Sequence, residues 1–473
     1  MTSRYDVIIV GARCAGSPLA VMLARQGLAV ALLDKAHFPS DVPSTSAFQS
    51  NGVEVLARIG VLDDVMGAGA AVLRRAVVTA TSGAFTGAID PEVYGTALGM
   101  RRTSMDQILV QAARAAGADV RTGCAVAGVL TDDGRVVGVL TRDGQQLRAP
   151  LVVGADGRHS TIAAAVGARE YCTRAPGRLP TWAFYDGVDG GDTFYFGAIG
   201  RRATRGSAAY LGLPVDGGFL VSVNVPMAEA SSFLTDRYRN FDTELARFPQ
   251  LSDAVAGGRR VGPLRVYRNW HSYFRTSAGP GWVLAGDAGN FKDYSLGQGQ
   301  SDAFRQVEQL APHIARGLDS GGDLDAETAA WWQWRDRDGW QMYWANCLLG
   351  EPYLPDAIFD AAKSLTNDDP ELATHLAGVF NKSVSPLRLL TPRQLLRVAP
   401  AALAGIAAQA AGDRGRTLFA LADLARFTAT LALNQPRNRL RRIPSAPLPT
   451  GTGTPAQALS TNPEFIAGAE LGA

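Results

Sequence analysis

The chain has 473 residues, 47% of them apolar, which is too long for one ordinary domain and enough to bury a substantial core. A net charge of +2 supplies no general field for nucleic acid, and only Lys35, Lys292, Lys363 and Lys382 are lysines. Cys14, Cys124, Cys172 and Cys347 are scattered, with neither a CxxC nor metal-ligand spacing, which speaks against a disulfide framework or a metal site and fits a reducing cytoplasm.

The first strand is expected from residue 5, leaving no room for a signal peptide, and no apolar run is long enough to span a bilayer. Residues 5–10 form a short apolar run suited to a buried parallel strand. Residues 17–25 have helical periodicity with Gly27 as a stop, and 28–33 form a second buried strand ending in Asp34, with Lys35 beside it. Gly11 permits the tight turn between strand and helix, and Gly16 lets the helix pack close to the sheet. The free N–H groups of the helix then face a pyrophosphate. Asp34 stands eighteen residues after Gly16, where a carboxylate can accept hydrogen bonds from a ribose. Arg13 occupies the middle-glycine position of this G-x-R-x-x-G turn. Its side chain must turn away from the ligand or wrap around a phosphate oxygen.

Gly67-Ala-Gly69 follows a helical stretch rather than a strand and is no second fingerprint. A helix opens near Arg102 and runs to about residue 116. Residues 119–124, 126–130 and 135–140 read as strands of a β-meander with turns at 132–134 and 143–144. A buried strand from residue 151 ends in Asp156-Gly157. Stretches 73–98 and 176–274 alternate apolar and polar residues, as an antiparallel sheet does. On them Trp182, Phe184, Tyr195 and Tyr210 are candidates for a pocket wall, each of a kind equally at home in a core.

Residues 281–285 form the last buried strand, followed by Gly286 and Asp287. The loop to Gly297 and Gly299 leads into a helix from about 300 to 316, whose glycines and N-terminus can approach a flat ring. In that loop Lys292 and Asp293 are either catalytic or a surface ion pair shaping the turn. Trp331, Trp332, Trp334, Trp340 and Trp344 mark a packed helix. Residues 384–432 give further helices with Arg437, Arg439, Arg441 and Arg442 behind them. Packing or dimerisation is favoured there over a lid or a membrane contact, and a mobile tail follows Pro444.

The segments 6–16, 153–160 and 281–299, in that order, resemble the group A flavoprotein monooxygenases, the single-component FAD-dependent aromatic hydroxylases. The resemblance implies an α/β fold: a Rossmann-like FAD-binding domain (1–72, 99–175 and 275–320) and an inserted antiparallel β-sheet substrate domain (73–98 and 176–274). A C-terminal helical region (321–445) and a flexible tail (446–473) complete the expected division. It implies FAD held by Gly11, Arg13, Gly16, Asp34, Lys35, Arg102, Asp156, Gly286, Asp287, Gly297 and Gly299. Arg102 would reach the pyrophosphate and Asp287 the ribityl hydroxyls.

The implied activity is an NAD(P)H-consuming monooxygenation of an aromatic or polycyclic small molecule by O2, through a flavin hydroperoxide, in a cytoplasmic enzyme with a homodimer as a candidate assembly. Two departures stand out. Ile162-Ala163-Ala164 replace an arginine usual after Ser160, and Phe291-Lys292-Asp293-Tyr294 replace a His- and Pro-containing loop. Flavin-dependent halogenases, on the same scaffold, need a catalytic lysine between the first two motifs, and no lysine occurs from Ala36 to Phe291. A reductase of the geranylgeranyl-reductase type, acting on an apolar alkene, shares the same motifs and stays open. So does a flavoprotein with structural or sensory FAD.

Overall fold

The computed structural model describes residues 5–42, 44–80, 83–200, 206–352 and 378–385, with residues 396, 400 and 404. Its main sheet runs in the order Ala278–Gly279, Trp282–Leu284, Leu151–Gly154, Val7–Val10, Val30–Asp34, Asp119–Thr122. All pairings are parallel except that of the first, two-residue strand. Val7–Val10 and Leu151–Gly154 are buried along their whole length, which is why they read as unbroken apolar runs. Val7 and Ile9 pack under the helices Gly16–Arg25, Arg102–Ala115 and Gly299–Leu318, beside Leu19, Leu109 and Phe304. Ile8 and Val10 point the other way, into a second cluster with Val126, Val139 and Ile162.

That second cluster is roofed by a meander of Val126–Asp132, Arg135–Thr141 and Gln146–Arg148. Its first turn has positive φ at both Asp133 (46°) and Gly134 (75°), the conformation a two-residue hairpin favours. The segment expected as the meander's first strand lies elsewhere: Asp119–Thr122 pairs in parallel with 31–34 at the edge of the main sheet. Periodicity identified a strand but not its partner. The chain reaches it from the helix Arg102–Ala115, and a strand entered through a helix is free to join a parallel sheet.

A seven-stranded sheet follows the order Arg259–Val266, Arg178–Asp186, Gly218–Pro226, Ser207–Val215, Thr193–Gly200, Arg75–Ala80, Gly83–Ala88. It is antiparallel except where Thr193–Gly200 meets Arg75–Ala80 in parallel, at the seam between the two stretches of chain that build it. Tyr210, Phe219, Val221 and Val223 on one face pack with Phe233, Phe241, Leu245 and Phe248 of the following helical segment. Trp182, Leu211, Leu213 and Leu220 face the opposite way, toward Ala47 and Leu73.

The helix Leu324–Gly350 carries the tryptophan run. Trp331 and Trp332 join the main core, while Trp340 and Trp344 pack with Phe274 and Tyr343. The expected helices at 384–432, the arginines at 437–442 and the tail after 444 lie outside the described residues, apart from 384, 385, 396, 400 and 404.

Candidate functional site

The carboxyl ends of the parallel strands open onto a cavity of about 590 Å³, within the usual range of ligand sites. Gly11, Arg13, Asp34, Lys35, Arg102, Asp156, Gly286, Asp287, Lys292, Asp293, Gly297 and Gly299 all line it. Gly16 does not; it works from behind. A Cβ on Gly16 would lie 1.8 Å from the Gly11 carbonyl oxygen, so the helix could not start so close to the strand. Gly11 itself has φ 105°, and a Cβ there would come within 2.3 Å of the Ala155 carbonyl. The helix begun at Gly16 has no side-chain cap and no acid in its first turn; the Ser17 and Leu19 N–H groups bond the Arg13 and Ala15 carbonyls and Pro18 has none, so an anion would meet the Gly16 N–H and the turn before it.

The Arg13 side chain lines the cavity. It stacks over Phe38, 5.1 Å from the ring centroid, and donates to Asp106 at 2.8 Å and to the Ser40 hydroxyl at 3.0 Å. Arg102 grips the same Asp106 with both arms, at 3.0 and 2.9 Å. Against the downward push of burial, the Asp106 charge holds the Arg102 guanidinium protonated above its ordinary range. Asp106 is fully buried, and two guanidinium groups sharing one carboxylate leave a net positive charge at the cavity wall. Sequence reading missed Asp106. Its signal was the four-residue spacing from Arg102, which puts both on one helix face.

Asp34 accepts from the backbone N–H of Ala12 through Oδ2 and of Ala36 through Oδ1, both at 2.8 Å. It fixes the glycine turn while its remaining lone pairs stay at the cavity. Asp156 accepts from the Thr161 N–H at 2.6 Å through Oδ2, at the start of the short helix Thr161–Ala165 that Ser160 caps. Its Oδ1 is buried without a hydrogen-bond partner among the described residues, and burial raises its pKa. Burial likewise raises the pKa of Asp287, whose backbone carbonyl accepts the Tyr273 hydroxyl at 2.6 Å.

The loop before the helix Gly299–Leu318 also departs from expectation. Lys292 and Asp293 are neither on the surface nor paired to each other: they are 7% and 5% exposed. Lys292 pairs with Asp302 in the first turn of that helix. Asp293 accepts from the backbone N–H of Ser295 at 2.9 Å and from its hydroxyl at 2.5 Å, and burial pushes its pKa up to about 6. Gly297 turns with φ 60°, and a Cβ at Gly299 would meet nothing within 4 Å, so the backbone there is bare toward the cavity.

Of the four candidate wall residues, only Trp182 lines the cavity, together with Pro180, Leu220, Ser222 and Tyr267. Phe184 shares the strand face of Trp182 but sits two residues further on, under the Arg101 guanidinium. Tyr195 and Tyr210 belong to the other face: Tyr195 packs edge-on to Phe219, and Tyr210 to Phe248, with its hydroxyl on Glu244 at 3.2 Å. Alternation reveals which residues share a face, not which face meets the cavity. Unforeseen are Tyr267 and Arg158, whose guanidinium lies 4.3 Å from the Tyr267 ring centroid and 5.2 Å from that of Phe291.

An uncapped helix N-terminus, two arginines, an orphan buried acceptor on Asp156 and a bare backbone at Gly299 fit a dinucleotide that carries a diphosphate, hydroxyls and a flat ring. Comparison with known proteins names it. Residues 4–179 match the family model of the FAD binding domain. Rifampicin monooxygenase of Streptomyces venezuelae is 34% identical over 169 residues, 34% of either chain. Digeranylgeranylglycerophospholipid reductase 2 of Methanothermobacter thermautotrophicus is 34% identical over 173 residues, 35% of this chain and 42% of that one. The match thus spans about a third of the rifampicin enzyme and well under half of the reductase. Among solved structures, a flavin-dependent brominase superposes with a TM-score of 0.67 at 20% identity, covering 80% of this chain and 94% of its own. Over residues 4–179 the chain therefore matches the FAD binding domain, and within that part it is similar to an FAD-dependent monooxygenase and to a reductase.

Proposed function

We propose that the protein is an NAD(P)H-consuming FAD monooxygenase that hydroxylates or epoxidises an aromatic or polycyclic small molecule with O2. The observation that carries this reading is the continuity of the cavity. The turns that would hold FAD and the sheet face bearing Trp182, Leu220 and Ser222 line one space, with Tyr267, Phe291 and Tyr294 also in its wall. A flat apolar substrate resting on that wall would share the cavity with the cofactor.

In this reading Arg13, Arg102 and the helix begun at Gly16 hold the diphosphate. Asp34 and Lys35 take the adenosine end, Asp287 the ribityl chain, and the Gly297–Gly299 backbone the ring. Asp156 supports the diphosphate turn. FAD supplies the redox and oxygen chemistry. The protein's part is to position both partners and to exclude water. The seven-stranded sheet acts as the substrate domain. Of the cavity's lysines, Lys35 stands beside Asp34 and Lys292 is engaged by Asp302, which suits cofactor handling better than the free amine a halogenase requires.

Stopped-flow absorbance tests the reading. The flavin is reduced anaerobically with NADH or NADPH and then mixed with oxygen in the presence of aromatic ligands. A transient species preceding oxidised flavin, with one oxygen atom recovered in the product, is expected. Direct reoxidation with every ligand, together with turnover of an apolar alkene, would replace it by the reductase.

A further inference from the structure

Behind the cavity wall runs a chain of alternating charges. Lys292 pairs with Asp302, and the other oxygen of Asp302 accepts from Lys382 at 2.6 Å. Lys382 reaches on to Asp338 at 3.2 Å, and Arg305 holds Asp338 at 2.6 Å. Lys292, Lys382 and Arg305 thus face two carboxylates, leaving one net positive charge. Lys292 and Asp302 line the cavity, whereas Lys382 and Asp338 do not.

The second lysine arrives from residues 378–385, which lie over the cofactor loop. The Gln298 side-chain amide donates to the carbonyls of Val379 and Phe380 at 3.1 and 3.0 Å, and Asn381 donates to the Tyr94 carbonyl at 2.8 Å. Lys382 has φ 61°, a left-handed conformation that a lysine keeps only where its surroundings over-determine it. The bend aims its ammonium at Asp302.

A lone Asp302–Lys292 pair would present the cavity with nearly cancelling charges. A second ammonium on the far oxygen compensates the carboxylate, so that the Lys292 charge is felt in the cavity at low dielectric. Against the upward push of burial, the two lysines hold the Asp302 carboxyl far below the usual carboxylate range, so it stays ionised and keeps both partners. Reduced flavin is an anion, and a fixed positive charge beside it favours reduction.

We propose that Lys382 is a positioning residue that neutralises Asp302 from behind, leaving the Lys292 charge free to stabilise the reduced form of the bound flavin. The inference rests on the assignment of FAD to this cavity and is independent of oxygen transfer.

The test is the midpoint potential of the bound flavin, titrated anaerobically against a reference dye without substrate or nicotinamide. Lys382→Met is expected to lower the ratio of reduced- to oxidised-flavin affinity about tenfold, about 30 mV more negative for a two-electron couple. Lys382→Arg is expected to restore the parent value. Asp338→Asn, which removes a negative charge from the same chain, is expected to shift the midpoint the other way and covers a poorly folded Lys382→Met. An unchanged midpoint in Asp338→Asn and in folded Lys382→Met, with both flavin forms bound more weakly, would make the lysine a structural strap and overturn the proposal. Failure of the monooxygenase reading would show separately, as absent oxygen incorporation with these midpoint shifts intact.

Discussion

Two buried carboxylates beside this cavity each sit between two cations. Asp106 lies between Arg13 and Arg102, and Asp302 lies between Lys292 and Lys382. Both clusters leave one surplus positive charge, yet they are built from different cations. Guanidinium groups are planar, always charged and matched to phosphate oxygens in pairs; an ammonium is a point charge. Forks suit a diphosphate, and point charges suit the diffuse charge of a reduced ring. The clusters also differ in how they are assembled. Arg102 and Asp106 stand on one helix four residues apart, while Lys382 lies 80 residues beyond Asp302.

The sharpest way to break this comparison is to delete the shared carboxylate of the arginine pair. Asp106→Asn leaves two guanidinium groups crowded with no counter-charge, and removing one partner of a buried ionic cluster costs about 4 kcal/mol. The apoprotein is expected to lose that stability in urea unfolding, and FAD affinity is expected to fall at least tenfold in a fluorescence titration. Unchanged stability with unchanged FAD affinity would mean that Asp106 does not hold the arginines.

A pair of glycine substitutions separates folding from binding at the two helix starts. At Gly11 a methyl group meets both a positive φ and a carbonyl 2.3 Å away, so Gly11→Ala is expected to destabilise the apoprotein by about 3 kcal/mol. At Gly299 the methyl group meets only open space, so Gly299→Ala is expected to fold within about 0.5 kcal/mol of the parent. It should nonetheless bind FAD more weakly, because the methyl group enters the volume assigned to the ring. If FAD affinity is unaffected in Gly299→Ala, the ring lies elsewhere.

Asp293 sharpens the contrast, because it is a buried carboxylate with no cation bonded to it among the described residues. Burial raises its pKa from 3.8 to about 6. With the folded value above the unfolded one, its contribution to stability is complete below about pH 4 and is lost as pH rises through 6. Asp293→Asn should therefore abolish that slope, making the apoprotein about 2 kcal/mol more stable than the parent at pH 7 and no more stable at pH 4. Equal differences at both pH values would count against a raised Asp293 pKa in the folded protein.

How much of this was legible follows from the range of each interaction. The strand–turn–helix at Gly11 to Gly16 is local, so its steric logic is written in consecutive residues. Asp34 and Asp287 are placed by the ends of strands whose apolar runs announce them. Asp106 carried only a spacing cue, and a helix-start arginine beside an acid reads equally well as a surface pair. Lys292 read equally well as catalytic or as half of a surface ion pair, because Asp302 and Lys382, which bury its charge, come together only in the folded chain. The sheet was legible as a sheet but not in its register. Trp182 meets the cavity opposite Ser222 on the neighbouring strand, whereas Tyr210, opposite Val223, turns to the helices.

That difference between the two faces of one sheet gives the last and smallest prediction. Tyr210 is fully buried, is not among the residues lining the cavity, and its hydroxyl bonds Glu244. Tyr210→Phe removes that hydrogen bond while keeping the ring against Phe248, a loss of about 1 kcal/mol. The flavin spectrum and its perturbation by aromatic ligands should stay as in the parent. Trp182→Phe keeps an aromatic side chain in the sheet but changes the cavity wall, so its stability should shift little while the ligand-induced spectral change alters. If Tyr210→Phe altered the flavin spectrum and Trp182→Phe did not, the face of the sheet turned to the cofactor would have to be reassigned, and with it the substrate wall.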